Sequence, residues 1–274
     1  MSTSNSIKSN LSSLLKYVAP RYYWNRKVNY YRSHFSEVEM NLLPFLCKKD
    51  MRTLDIGAAI GVFTANLVNY SKDVISFEPI PNNVSVIKDM IKYAKLNAAI
   101  ECVAISNENG EAILSMLDND LGLSTIEKSN VLENNTGGKK IELKVPMKRL
   151  DSYNLLNIGF IKIDVEGHEF SVVEGAIETI KNSKPALLIE IEERHRKNSL
   201  SEIKACLKEI GYEGFFVLER KLLPISEFDY ALHQNVNNIG SHEDNYKRKG
   251  IYINNFIFIH SSESALFLKS AIDF

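Results

Sequence analysis

Short apolar runs alternate with amphipathic stretches through the middle of the chain. Apolar runs of this length are typical of buried strands, and longer stretches with apolar positions three or four residues apart are typical of helices. Strands that alternate with helices indicate a parallel sheet with helices on both faces, which is the α/β class. The pattern predicts strands at residues 52–56, 74–78, 100–105, 159–164 and 186–191, and helices at 36–47, 81–96, 169–182 and 199–210.

Four further segments depart from this alternation. Residues 111–117 and 140–147 alternate apolar and polar side chains, which predicts an antiparallel elaboration of the sheet. Residues 251–260 are strongly apolar and predict a buried strand. The preceding segment, 224–250, is polar and irregular, and a long loop in a folded domain is often functional. We expect this segment to cover an active site.

The first part of the chain is basic and aromatic. Residues 1–36 contain six Lys or Arg residues and no Asp or Glu, and aromatic residues alternate with bases from Tyr17 to Tyr31. We predict a helical extension over residues 1–48 and one domain over 49–274. Three interpretations fit the extension: a packing helix with a solvated basic face, a surface for a membrane or a lipid-linked substrate, and a surface on which single-stranded nucleic acid stacks.

Composition narrows the class of protein. The 274 residues carry a net charge of -1, which gives no electrostatic reason to expect a nucleic-acid partner. No segment approaches the ~20 apolar residues of a membrane-spanning helix, and no apolar region of a secretory signal follows the basic start. Cys47, Cys102 and Cys206 are far apart, which is typical of a reducing compartment. We therefore expect a cytoplasmic protein, with peripheral contact at the inner face of a membrane as an option.

Acidic residues and glycines follow the first two predicted strands. Asp55, Gly57 and Gly61 lie where strand 52–56 gives way to a helix, and Glu78 ends the second strand. Ligands of doubly wound folds bind at this edge, where a carboxylate can accept hydrogen bonds from a ribose. The spacing is GxxxG rather than the GxGxxG of dinucleotide sites, and Asp55 would repel a phosphate. The arrangement favours a nucleoside with an amino-acid end, such as S-adenosylmethionine, over NAD.

Titratable side chains also follow the fourth and fifth predicted strands. Asp164, Glu166 and His168 come after strand 159–164, where carboxylates beside an imidazole are suited to proton transfer or metal ligation. Glu190 and Glu192, at the end of strand 186–191, point to the same face. We predict that they contact a substrate at this edge of the sheet.

These motifs resemble those of the FkbM family of S-adenosylmethionine-dependent methyltransferases. The match runs from Arg52 to Glu193 and includes LDIGAAIGVF, SFEPIPNN, VAIS, IKIDVEGHEFSVVEGA and KPALLIEIE. The family usually has Asn at the position of Ala59, and many members have Ala at the position of His168. The resemblance implies a Rossmann-like class I methyltransferase sheet of seven mostly parallel strands, with the last strand reversed near residues 256–260.

The resemblance also implies site residues and an activity. It implies O-methylation of sugars in glycans, or of hydroxyl groups in natural products, and it places Ser124 at the border of the substrate pocket. A saccharide or a glycosylated small molecule is then the expected acceptor, and a homo-oligomer is compatible with the sequence. The motifs that match assign cofactor contacts to Asp55, Gly57, Ala58, Gly61, Phe63, Glu78, Ala104 and Asp164.

Two routes could activate the acceptor hydroxyl. In the first, His168, Asp164 or Glu166 accepts its proton. In the second, a divalent cation such as Mg²⁺, held by Asp164 with Glu190 or Glu192, lowers its pKa. The sequence lacks a diagnostic set of metal ligands, which favours the metal-free route. An NAD-dependent sugar dehydrogenase or epimerase and a catalytically silent cofactor-binding partner protein are the alternative functions.

Overall fold

The computed structural model describes residues 14–34, 37–118, 120–127, 138–240 and 249–270 of the chain. Within these residues, twelve strands form two sheets. The strands are β1 (Arg52–Ile56), β2 (Asp73–Phe77), β3 (Ala98–Glu101), β4 (Ala104–Ile105), β5 (Gly110–Leu117), β6 (Asp120–Thr125), β7 (Lys140–Lys148), β8 (Ile158–Ile163), β9 (Ala186–Glu190), β10 (Tyr212–Leu218), β11 (Lys221–Pro224) and β12 (Asn255–His260).

The main sheet has eight strands in the order β11-β10-β12-β9-β8-β1-β2-β3. Strands β3, β2, β1, β8 and β9 are parallel, whereas β12 runs antiparallel to both of its neighbours, β9 and β10. The predicted seven-stranded sheet with a reversed last strand is therefore confirmed, and β11 adds an eighth strand at the edge. All six residues of β8 are buried because the strand lies near the middle of the sheet.

A second sheet, in the order β4-β7-β5-β6, stands beside the main sheet. Its central pair, β5 and β7, is antiparallel, as the alternation of side chains predicts. The prediction of one strand over residues 100–105 is wrong. The apolar run divides around Cys102 and Val103, so that β3 pairs with β2 in the main sheet and β4 pairs with β7 in the second.

Helices cover the main sheet, and two of them differ from the prediction. Instead of the single helix predicted over 36–47, the described residues 37–47 contain a 3-10 helix (Val38–Leu42) and one short α-helix. The predicted helix over 169–182 is divided at Ala176, whose φ of −113° is not helical. The α-helices that lie wholly within the described residues are α1 (Pro20–His34), α2 (Leu43–Leu46), α3 (Val62–Leu67), α4 (Pro81–Ala94), α5 (Glu169–Gly175), α6 (Ile177–Ser183), α7 (Ser199–Glu209), α8 (Tyr230–His233) and α9 (Ser261–Ser270).

Helix α1 packs across α3 and α4 at one side of the sheet. Its buried face carries Trp24, Val28 and Tyr31, which join a cluster with Ala65 of α3 and Met90 of α4. The other face exposes Tyr and Arg side chains to solvent, as expected for an amphipathic helix. No helix in the described ranges is both long and apolar enough to cross a membrane.

The described part of segment 224–250 packs beside the ends of β9 and β12. The Gln234 side chain donates hydrogen bonds to the carbonyl oxygens of Ile191, at 2.6 Å, and Ile253, at 2.9 Å. Residues 241–248, which belong to the predicted cover, lie outside the described residues. The role of this segment as a cover stays a prediction.

Candidate active site

Two cavities meet at the carboxyl ends of the parallel strands. The first cavity, of about 170 Å³, lies between this edge and the second sheet. The second cavity, of about 350 Å³, lies between the turn after β1 and the residues His34, Glu37 and Met40. Gly57, Ala59 and Asp164 line both cavities, so the two form neighbouring compartments of one cleft. This is the edge at which doubly wound folds bind ligands.

Most of the candidate residues lie along this cleft. Ala104, Glu78, Ser124, Glu166, His168 and Glu190 line the first cavity. Asp55, Ala58 and Phe63 line the second. Gly61 and Glu192 line neither cavity.

The glycine turn after β1 depends on backbone shape. Gly57 has a φ of +81°, and an added Cβ would lie 1.8 Å from the carbonyl oxygen of Asp164. Only glycine permits that approach without strain, so Gly57 brings β1 against the turn after β8. Gly61 has a φ of +84°, but its missing Cβ would face Met90 of α4. The structure thus indicates that position 61 requires glycine because it packs closely against α4, and not because a ligand approaches it.

Asp55 is buried at the end of β1. Its Oδ2 accepts a hydrogen bond from Thr64 at 2.6 Å, and the Thr64 hydroxyl also lies 2.8 Å from that of Ser76. Burial raises the pKa of Asp55 to about 6, although the Thr64 hydrogen bond and the charge of Lys162 oppose this shift. A cationic ligand at this position would favour the ionised carboxylate.

Glu78 is buried at the end of β2 and holds two backbone segments. Its Oε2 accepts a hydrogen bond from the amide of Ala59, and its Oε1 accepts one from the amide of Ile80, both at 2.9 Å. Burial raises the pKa of Glu78 to about 7. A carboxylate has about four acceptor positions, so Glu78 retains capacity for a further donor such as a ribose hydroxyl.

A buried lysine lies among the carboxylates. The Lys162 ammonium lies 3.6 Å from Asp164 and 3.8 Å from Glu190, and it donates to the Asn255 side chain at 3.3 Å. Burial alone would lower the pKa of Lys162, but the charges of Asp164, Glu190, Glu37 and Asp55 together raise it. Burial and the charge of Asp164 raise the pKa of Glu190 well above its ordinary value. Sequence reasoning placed Lys162 in a strand but gave it no role in a site.

Two histidines lie beside the first cavity. The Nε2 of His168 is 2.9 Å from the hydroxyl of Ser106, and burial lowers the pKa of His168 to about 4, which keeps it neutral near pH 7. His195, which sequence reasoning missed, lies in the turn after β9, with its Nδ1 2.9 Å from Glu166 Oε2. The Thr125 hydroxyl of the second sheet donates to the Glu166 carbonyl at 2.7 Å.

Glu192 points into a different hydrogen-bonded group. It accepts a 2.5 Å hydrogen bond from Arg194 and others from Tyr252 and Asn254. These contacts and the charge of Arg194 lower its pKa, although burial alone would raise it. The structure therefore gives Glu192 a role in packing the turn after β9 against residues 252–254.

A metal site at these carboxylates is disfavoured by charge. The Lys162 ammonium already interacts with both Asp164 and Glu190, the pair that would share a divalent cation. Glu192, the other candidate ligand, already accepts a hydrogen bond from Arg194. Among the residues that the structure describes, no three His, Cys, Asp or Glu side chains come together as a metal site.

Comparison with known proteins identifies the family. The model of the methyltransferase FkbM domain matches residues 55–213, more than half of the chain. This chain belongs to the FkbM methyltransferase family. S-adenosylmethionine is accordingly its cofactor. No curated protein sequence matches the chain.

Several solved structures are similar to this chain at low sequence identity. A methyltransferase FkbM from Methylobacillus flagellatus KT is 16% identical with a TM-score of 0.49, and the match covers 87% of this chain and 50% of that one. A putative methyltransferase from Streptococcus mutans, solved with SAH, is 10% identical with a TM-score of 0.43, covering 81% and 96%. The FkbM chain described here thus spans half the length of the Methylobacillus protein.

The cleft fits the cofactor of the family. The first cavity combines the apolar side chains of Phe77, Val103 and Ile105 with the Glu78 carboxylate, which suits the base and ribose of an adenosine. The second cavity has more carboxylates than ammonium groups, which suits the positive charges of a sulfonium and an amino group. Asp55, Gly57, Glu78 and Asp164 would therefore hold the cofactor across the join between the cavities.

Proposed function

We propose that this protein transfers a methyl group from S-adenosylmethionine to a hydroxyl oxygen of a sugar, in a cell-surface glycan or a glycosylated natural product. One observation carries the proposal: Asp164 lines both cavities, and Glu166 and His168 line the first beside it. Proton acceptors are thus grouped at the join where an acceptor would meet the cofactor. No observation supports the NAD-dependent alternative.

The chain's own residues would position the acceptor and take its proton. The cofactor supplies an already activated methyl group on a sulfonium. Alignment of a hydroxyl oxygen within the cleft can contribute ~7–11 kcal/mol to lowering the barrier. Asp164, Glu166 or the neutral His168 would accept the hydroxyl proton as the oxygen bonds to the methyl carbon. Ser124 and Glu190, which also line the first cavity, would contact the acceptor.

Calorimetric titration tests the cofactor and the reaction class. The purified protein is titrated with S-adenosylmethionine, its demethylated product and NAD, each with and without Mg²⁺. We expect micromolar binding of the first two, no binding of NAD and no dependence on Mg²⁺. An acceptor screen over nucleotide sugars, oligosaccharides and glycosylated small molecules, read by a methyl mass increment, then tests O-methylation. Turnover that requires Mg²⁺ would restore the metal route, and cofactor binding without turnover on any acceptor would favour a silent partner protein.

The surface of α1 supports a lipid-linked acceptor. Its exposed side chains include Tyr22 and Tyr30, exposed by 57% and 46%, together with Arg21 and Arg26, and Tyr17, which precedes the helix, is exposed by 85%. Tyrosines and bases exposed together on an amphipathic helix are typical of peripheral membrane contact. We therefore propose that the protein acts in the cytoplasm, in peripheral contact with the inner face of a membrane.

Vesicle binding tests this contact separately from catalysis. We expect the protein to co-sediment with phosphatidylglycerol-containing vesicles, and the double variant Arg21→Glu/Arg26→Glu to lose binding because these lipids are anionic. Lys204→Glu/Lys208→Glu on exposed positions of α7 reverses the same charge elsewhere and should retain it. Equal binding of all three proteins to the vesicles would contradict the proposal that α1 contacts a membrane. Light scattering of the same three proteins without vesicles would show whether the chain forms a homo-oligomer.

A further inference from the structure

A wall of the second cavity comes from outside the part of the chain that the family model matches. Glu37 and Met40, with His34 at the end of α1, face the cavity, whereas the match begins at residue 55. The opposite wall is the glycine turn, with Gly57, Ala59 and the floor residue Asp164. A ligand that extends over this turn would therefore be enclosed by residues of the N-terminal segment.

The second cavity has an excess of negative charge. Glu37, Asp55 and Asp164 line it, with Lys162 as the ammonium group among them. Lys162 also interacts with Glu190, 3.8 Å away, so its charge is divided among several carboxylates. Like charges that remain uncompensated in a partly closed site favour the binding of a cation. The cavity is thus suited to a ligand that carries a positive group.

Asn255 links Glu37 to the buried lysine. Its Oδ1 accepts from Lys162 Nζ, and its Nδ2 donates to Glu37 Oε2, both at 3.3 Å. The amide therefore holds one oxygen of Glu37 toward the carboxylate cluster from the reversed strand β12. Because a carboxylate has about four acceptor positions, Glu37 can accept further hydrogen bonds from a ligand in the cavity.

We propose that Glu37 binds the α-ammonium group at the amino-acid end of S-adenosylmethionine, which makes the N-terminal segment part of the cofactor site. The proposal rests on the assignment of this cofactor. Its adenosine suits the apolar first cavity, so its amino-acid end must leave that cavity through the join at Gly57, Ala59 and Asp164. Beyond the join lies the cavity in which Glu37 contributes a carboxylate.

Three ligands and two variants test the proposal by calorimetry. S-adenosylhomocysteine carries the whole amino-acid end, its deaminated analogue lacks only the ammonium group, and 5′-methylthioadenosine lacks the entire end. Glu37→Gln keeps the size of the side chain and removes its charge. Glu39→Gln is the control, because Glu39 lies two residues away, in the 3-10 helix that begins directly after Glu37, and does not line the cavity.

We expect Glu37→Gln to lower the affinity for S-adenosylhomocysteine about tenfold, which is the effect of losing one charge-assisted hydrogen bond. Its affinity for methylthioadenosine and for the deaminated analogue should match that of the wild type, which also shows that the variant is folded. The role of Glu37 would be overturned if Glu39→Gln lowered the affinity for S-adenosylhomocysteine equally, or if Glu37→Gln lowered the affinity for methylthioadenosine equally. Either result would leave the assignment of the cofactor unchanged. If the wild type bound no S-adenosylhomocysteine, the cofactor assignment itself would fail, and the proposal with it.

Discussion

Nδ1 of His195 lies 2.9 Å from Oε2 of Glu166, and the two side chains come from the turns that follow the neighbouring strands β8 and β9. Burial works to lower the pKa of His195, but the hydrogen bond and charge of Glu166 outweigh it and raise that pKa. Burial raises the pKa of Glu166 in turn. The imidazole therefore fixes the orientation of a carboxylate that lines the first cavity.

Removal of the Glu166 charge should change the titration of His195. In Glu166→Gln the imidazole loses its ionic partner while it stays buried, so the pKa of His195 should fall. Long-range proton–nitrogen NMR spectra across a pH series measure it directly. The imidazole of His260, at the end of β12, is an internal control whose pKa should not move. An unchanged His195 titration would mean that the pair does not persist in solution.

His168 should make a contribution to stability that decreases in mild acid, whereas the raised pKa values of Asp55 and Glu78 act in the opposite direction. Burial lowers the pKa of His168 from 6.5 to about 4, so between these values the unfolded chain binds a proton that the folded chain does not. The contribution of His168 to the free energy of unfolding is fully present above pH 6.5 and is lost as the pH decreases toward 4. The loss is up to about 3 kcal/mol. Urea unfolding at pH 7 and pH 4.5 tests this. Relative to His168→Asn, the wild type should lose up to about 3 kcal/mol of stability between the two pH values, and an unchanged difference between the two proteins would contradict a buried neutral imidazole.

The two glycines of the turn should differ in their tolerance of alanine. Both have positive φ, which costs an alanine roughly 1–2 kcal/mol. At Gly57 the new Cβ would also meet the Asp164 carbonyl oxygen at 1.8 Å, whereas at Gly61 it would meet the flexible end of Met90 at 2.7 Å. Gly57→Ala should therefore be clearly less stable than Gly61→Ala in urea unfolding. The opposite order would show that the turn after β8 moves easily away from β1.

Truncation of Trp24 should destabilise the whole domain. Its side chain is 2% exposed and joins α1 to α3 and α4, so Trp24→Ala should cost about 3–5 kcal/mol. Tyr22→Ala, on the exposed face of the same helix, should change the free energy of unfolding by less than about 0.5 kcal/mol. Thermal unfolding in one cooperative transition for both variants is expected. A separate early transition for Trp24→Ala would mean that α1 unfolds independently of the sheet.

The parallel core could be predicted because its strands are buried on both faces. Such strands are continuous apolar runs, and the bounds predicted for β1 agree with the structure. The carboxylates at the strand ends could be predicted for a related reason: the topology of parallel strands brings their carboxyl ends to one edge. Asp55, Glu78 and Asp164 therefore line one cleft although they lie far apart in the sequence.

Other features depend on contacts that no local pattern encodes. An apolar run cannot reveal that β3 and β4 belong to different sheets, because the division depends on which strand each half pairs with, β2 or β7. Lys162 acquires its partners from Asn255, 93 residues away, and from Glu37, which precedes the family domain. His195 meets Glu166 only because the turns after β8 and β9 are neighbours in space. Each of these pairs becomes visible once the strand order is known.

The position of β12 has a consequence for biosynthesis. This strand is inserted between β9 and β10, although both of them leave the ribosome well before it does. Until residues 255–260 emerge, β10 and β11 have no strand through which to join the sheet, and Lys162 has no Asn255. A nascent chain can therefore assemble the glycine turn early, yet its charged cleft is completed only after residues 255–260 have emerged. Cofactor binding by the growing chain is expected to begin at that stage.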